Sequence, residues 1–117
     1  MISAFDSALS ALSAFSVRMR VTANNVANVN TDGFKKSRTI MNEGSFGGVM
    51  PDVDRIDTPG GVKQVTEEGV QREVETSNVD LTEAMTDMIP TQSGYNANLK
   101  TIKISDDMLG SLLDIIG

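Results

Sequence analysis

From Ile2 onward apolar residues return every three or four positions: Ile2, Phe5, Leu9, Leu12, Met19, Ala23 and Val26, with Ser16 the one polar interruption. That spacing is the stripe of an amphipathic helix and predicts one helix over residues 2–29. At 1.5 Å per residue it would be a rod of about 40 Å. Phe15 and Val29 widen the stripe. The residues between are mostly Ser, Ala, Arg and Asn rather than Lys and Glu. A small-residue surround suits a helix approached closely on more than one side.

A second seven-residue repeat carries Leu81, Met88, Tyr95, Ile102, Leu109 and Ile116. A companion line is read through Met85, Gln92, Leu99, Asp106 and Leu113. Asp80 and Glu83 suit the start of this second helix. Pro90 lacks a backbone donor and crowds the carbonyl of Thr86, which predicts a kink. The closing Leu112, Leu113, Ile115 and Ile116 offer more apolar surface than one seam uses, which fits burial between subunits.

The middle is different. Gly44, Gly47, Gly48, Gly60, Gly61 and Gly69 fall here with Pro51 and Pro59, and two short alternating runs follow at 61–65 and 69–75. This reads as a loop, mobile from Gly44 to Thr58, and then one small hairpin. Two strands alone do not make a stable sheet and need something to lie against. The expected fold is therefore mainly α: long terminal helices packed as an antiparallel coiled-coil-like pair around a small Gly-rich β-hairpin insert. The expected divisions are residues 1–38, 39–77 and 78–117.

Composition narrows the chemistry. Among 117 residues there is no Cys, no His and no Trp, with four Phe and one Tyr. Ser–His and Cys–His nucleophiles and thiolate metal sites are thereby excluded. Asp52, Asp54 and Asp57 faintly suggest a calcium loop, but Asp57 stands where Gly belongs and Lys63 where a bidentate Glu belongs. No catalytic residue, cofactor or metal is expected, and no small-molecule substrate. The net charge of −6 argues against a nucleic-acid partner. It is uneven: residues 1–42 carry +3, residues 43–78 carry −5 and residues 79–117 carry −4. A basic first part can lie favourably against an acidic last part, within a chain or between chains. No run approaches the roughly 20 apolar residues of a membrane span. Residues 1–16 lack an early basic residue and contain Asp6, so no cleaved signal peptide is expected.

The stretch from Ala23 to Lys36, A-N-N-V-A-N-V-N-T-D-G-F-K-K, places Asn24, Asn25, Asn28 and Asn30 within seven residues. Asn is a mediocre helix former because its amide competes for backbone hydrogen bonds. Thr31, Asp32 and Gly33 suffice to end the helix, with Gly33 suited to the left-handed position. Two readings fit the remaining asparagines: local capping, or contact with another helix, either in the same chain or in a neighbouring subunit.

These residues also carry a resemblance. The N-terminal S-A-L-S-A-L-S-A-F-S and A-N-N-V-A-N-V-N-T-D-G-F-K-K-S-R, and the C-terminal S-N-V-D-L-T-E-A-M-T-D-M-I-P-T-Q-S-G-Y-N-A-N-L-K, resemble the two terminal signatures of the flagellar rod and hook family. Within it the chain looks most like the rod proteins of the basal body. The resemblance implies a non-enzymatic structural subunit of the flagellar axis, exported without signal cleavage and polymerising in the periplasm. Its partners would be itself, other axial proteins, the flagellar export apparatus and the inner-membrane ring. It marks Asn24, Asn25, Asn28, Asn30, Thr31, Gly33, Phe34, Asn78, Met88, Tyr95, Asn98 and Leu109 as subunit-packing residues. Ser93 and Gly94 depart from the family pattern, which has Arg and Ala before the Tyr. A soluble helical-hairpin adaptor, or a flagellar-export-associated binding protein, using the same seam is the other class that the sequence admits.

Overall fold

The computed structural model describes residues 2–117, an elongated molecule of 81 × 23 × 19 Å. Helix α1 (Ile2–Ala27) is followed by strand β1 (Ser37–Glu43), a one-turn 3₁₀ segment (Ser45–Gly47) and strand β2 (Val49–Arg55). Strands β3 (Val62–Glu67) and β4 (Val70–Glu75) come next, then helix α2 (Leu81–Ile116). The helices run antiparallel: Arg18 meets Asp87 while the earlier Phe15 meets the later Gly94.

The mainly α fold with one small hairpin is corrected here. The insert holds two antiparallel two-stranded sheets, β1–β2 and β3–β4. The segment read as a mobile loop contributes β2, paired in register from Ser37 with Arg55 to Glu43 with Val49. Alternation was visible in the run 61–75, but β1 and β2 read S-R-T-I-M-N-E and V-M-P-D-V-D-R. Pro51 and two aspartates disguise β2 as loop. Pro is tolerated because a two-stranded sheet is all edge.

The coiled-coil-like seam needs the same correction. On α1 Phe15, Arg18 and Thr22 meet α2, and with the buried Ala8 and half-buried Ala11 they form a line one residue before the expected stripe. Leu9 and Ala23, both expected in the seam, are exposed. The expected seam position at Ile2 lies outside the described side chains. On α2 the repeat through Met88, Tyr95 and Ile102 is half-buried, but its companion line is Ala84, Thr91, Asn98 and Ser105. The expected companions Met85, Gln92, Leu99 and Leu113 are exposed. Small and polar residues occupy the contact because small side chains let two helix backbones approach. A search for large apolar residues misses them.

Helix α1 is wedged between two neighbours. The first hairpin lies along its other flank, where the Ser7 hydroxyl donates to the Gly47 carbonyl (3.3 Å) and Val49 N–H donates to Ser10 Oγ (3.1 Å). Helix α2 starts on an N-cap: the Asp80 carboxylate accepts from the N–H groups of Thr82 (2.8 Å) and Glu83 (3.1 Å). It then runs as one helix through Pro90, an exposed residue on its outer side.

Candidate assembly site

The two terminal helices are tied together where α1 stops and α2 begins. After the last turn of α1, Gly33 takes φ +71, a left-handed conformation that glycine adopts without penalty. This turns the chain so that Gly33 N–H donates to the Glu75 carbonyl at the end of β4 (2.9 Å). The Phe34 carbonyl then accepts from Asn78 N–H (3.2 Å). The Asn78 side chain closes the knot. Its Oδ1 accepts from Lys36 N–H (2.6 Å), and its Nδ2 donates to the carbonyls of Ile56 (2.8 Å) and Thr58 (2.9 Å). One amide thus joins the chain after α1, the end of β2 and the approach to α2.

Asn25 does the same for the first hairpin. It is buried, and its amide meets Ser37 twice: Nδ2 donates to the Ser37 carbonyl (2.6 Å) and Oδ1 accepts from Ser37 N–H (3.0 Å). This copies a backbone pairing and positions the first residue of β1. Asn28 donates to the Asn24 carbonyl (2.8 Å) and accepts from the Thr31 hydroxyl (3.1 Å), so it caps the turn. Asn24 and Asn30 are exposed. On α2, Asn98 donates to the Gly94 carbonyl of its own helix (2.8 Å). Met88 and Tyr95 are half-buried in the helix pair, whereas Leu109 is exposed.

The charged partners of this knot were not singled out in the sequence. Arg18 grips the Asp87 carboxylate with two nitrogens, and the Thr22 hydroxyl donates to the same group (3.3 Å). Such two-pronged geometry fixes register between helices. Lys36 reaches Glu83 (2.7 Å), and Lys35 pairs with Glu75. The Lys35 ammonium, and then the backbone N–H of Gly60, hold the Glu75 carboxyl below its usual value of 4.5. Each is an isolated charge in sequence, and only the antiparallel arrangement shows which charges meet. The general signal was present: a basic first segment against an acidic last one.

Beside the knot a crevice of about 250 Å³ is lined by Arg18, Thr22, Asn25, Thr39, Ala84 and Asp87 among others. The Thr39 hydroxyl is covered and makes no hydrogen bond. Among the described residues no group of three or more acidic side chains is placed to hold a metal ion, and no helix is long and apolar enough to cross a membrane.

What remains uncovered is apolar. Every residue from Asp106 to Gly117 is exposed, including Leu113 at 70%, Ile115 at 82% and Ile116 at 83%. Ile104, Met108, Leu112 and Ile115 line an open trough along this end of α2. The two terminal helices are thus joined at one end into a single unit, with apolar surface left uncovered at the other end of α2.

Comparison with known proteins shows the family. A family profile described as flagella basal body rod protein matches residues 5–35, and one described as flagellar basal body rod FlgEFG protein C-terminal matches residues 70–115. The chain belongs to the flagellar rod and hook family of axial proteins. Among curated relatives, the flagellar hook protein FlgE of Treponema pallidum is 55% identical over 42 residues, which are 36% of this chain and 9% of that protein. FlgE of Borreliella burgdorferi is 55% identical over 40 residues, covering 34% of this chain and 9% of that one. The hook-basal body complex protein FlhP of Bacillus subtilis is 50% identical over 40 residues, covering 34% and 15%. The matches thus span a small part of these relatives' length.

Proposed function

We propose that this chain is a structural subunit of the flagellar basal-body rod, polymerising through its terminal helices into the axial shaft. Its partners are further copies and other axial proteins, and it reaches the periplasm through the flagellar export apparatus, above the inner-membrane ring. The twelve residues marked by the resemblance divide by location in this reading. Asn25, Asn28, Thr31, Gly33, Phe34 and Asn78 shape the unit that packs. Asn24, Asn30 and Leu109 lie on its outside, with Met88, Tyr95 and Asn98 between the two helices. The observation that carries the reading is the uncovered apolar end of α2 on a molecule whose two matched segments form one knotted unit. A monomer rarely leaves a patch of this kind open unless it meets a partner.

The test replaces Leu113 and Ile116 with Asp together. Both side chains point into solvent, so the isolated protein is expected to keep its far-UV circular dichroism. The variant is expected to be missing from purified basal bodies and to leave cells non-motile. Normal incorporation would refute polymerisation through this end of α2.

A further inference from the structure

The second hairpin is short of partners. Strands β3 and β4 pair with each other, while the first hairpin is laid along α1. An isolated two-stranded hairpin is marginal in water, and its edges present unpaired backbone groups. The ladder fixes which groups those are. Thr76 N–H donates to the Gly61 carbonyl (2.7 Å), making that opposed pair hydrogen-bonded. By alternation the backbone groups of Val62, Gln64 and Thr66 point outward from β3, and those of Gln71, Glu73 and Glu75 outward from β4. The β4 edge is partly closed, because Gly33 already occupies the Glu75 carbonyl.

We propose that the outer edge of β3 pairs antiparallel with the same edge of a second copy of this chain, making a two-fold, four-stranded sheet. Backbone parity allows the two-fold axis to sit only at a residue, not between residues. Centred on Val65, Gln64 and the second copy's Thr66 exchange two N–H···O bonds, and symmetry doubles them to about four. The same register sets Lys63 opposite the second copy's Glu67, and Glu67 opposite its Lys63. Opposite charges directly across a sheet are favourable. Centring on Lys63 would set like charges opposite each other. On the β4 edge, centring on Arg72 or Glu73 does the same, and centring on Val74 sets Glu73 against Glu75. One face of the joined sheet carries Val65, Val70 and Val74 from each copy, with the two Val65 side chains adjacent at the axis. Lys63 now bonds Asp32 (2.8 Å) and Arg72 lies 3.4 Å from Glu67, but the first pair is nearly half exposed and the second about two-thirds exposed. Such pairs contribute little and yield readily to new partners.

A two-fold contact closes on itself. It is not repeated along a polar filament, so this dimer is a form of the free protein before assembly. The inference therefore goes beyond the rod reading, and its failure would leave that reading standing.

The chain has no cysteine, so single thiols report directly. With the axis at Val65, two residues at that position lie about 4.5 Å apart between Cα atoms, within disulfide reach. Two residues at Gln64 are diagonal neighbours at about 7–8 Å, outside it. Under mild oxidation at about 0.5 mM, Val65→Cys in the full chain is expected to cross-link to a dimer and Gln64→Cys is not. Sedimentation analysis adds a charge test. Lys63→Glu is expected to lose the dimer, and Lys63→Glu combined with Glu67→Lys to regain it. Equal cross-linking at both positions, no cross-link at Val65→Cys, a dimer that persists in Lys63→Glu, or one not regained in the double exchange would each overturn the proposal.

Discussion

Gly94 is a seat for Phe15. A Cβ placed on Gly94 would stand 2.5 Å from the Phe15 ring, closer than carbon atoms approach. Gly94→Ala gains about 1 kcal/mol of helix propensity, but forcing a methyl into a filled site costs about 1–3 kcal/mol. Net destabilisation in urea unfolding is expected, and Phe15→Leu in the same chain should relieve part of it. A stabilised Gly94→Ala would show that the ring is not held there. In sequence this glycine stood out only as a departure from the family pattern, because nothing local shows which ring lies opposite. Asn25 shows the same limit. Its excess over capping needs was legible, but its bonding to Ser37 was not. Asn25→Ala leaves the half-buried N–H and carbonyl of Ser37 without these partners and is expected to cost about 1 kcal/mol or more, read by the same unfolding experiment. Thr39 is the converse case. Its hydroxyl is buried without a partner, so Thr39→Val is expected to be neutral or stabilising.

At the scale of elements, both helices were legible from periodicity, and so was one line of the α2 face through Met88, Tyr95 and Ile102, but its companion line and the face of α1 were not. Counting apolar residues selects Leu9 and Leu99, which are exposed at 52% and 43%. Contact is made by Ala, Thr, Asn and Ser, and it is the backbone approach that they permit which chooses the seam. Of the hairpins, the one with regular alternation and a Glu68-Gly69 turn was read. Both turn residues have positive φ, 51 and 80, as a tight two-residue hairpin turn requires. The other alternates in burial but not in residue type, because Ser37, Thr39, Met41 and Pro51 fill its covered positions while Ile40, Met50 and Val53 face out. Glu75 couples these elements to pH. Its folded carboxyl titrates below 4.5, so its contribution is present above the unfolded value and is lost as pH falls through the lowered one. Comparing melts at about pH 6 and about pH 3, the wild-type chain is expected to lose more stability than Glu75→Gln. Equal losses would mean that Lys35 and Gly60 do not hold this carboxylate in solution.

For the whole molecule, surface decides what kind of object it is. A compact monomer of 12.5 kDa would expose about 6,200 Å², whereas this chain exposes 8141 Å². Its radius of gyration is 20.9 Å, against about 13 Å for a compact chain of this length. The excess of about 2,000 Å² on this one chain is more than twice the roughly 800 Å² that each partner buries in a standard protein–protein interface. The apolar residues buried among those described are only Ala8, Ala14 and Ala84. Three alanines and a polar knot are a small core for 62 helical residues, because most helical stability comes from packing of an apolar face. Little of the ordering entropy of the helices is then offset inside one chain, and the rest must be offset by neighbours. The dilute protein is therefore expected to show less helix than the structure holds and a broad, weakly cooperative melt. Helical signal should rise with concentration and rise further on co-assembly with other axial proteins. Far-UV circular dichroism across a dilution series reads this directly. A fully helical, sharply melting monomer at micromolar concentration would mean that the two helices and their knot suffice alone, and that the uncovered end of α2 is not what completes the fold.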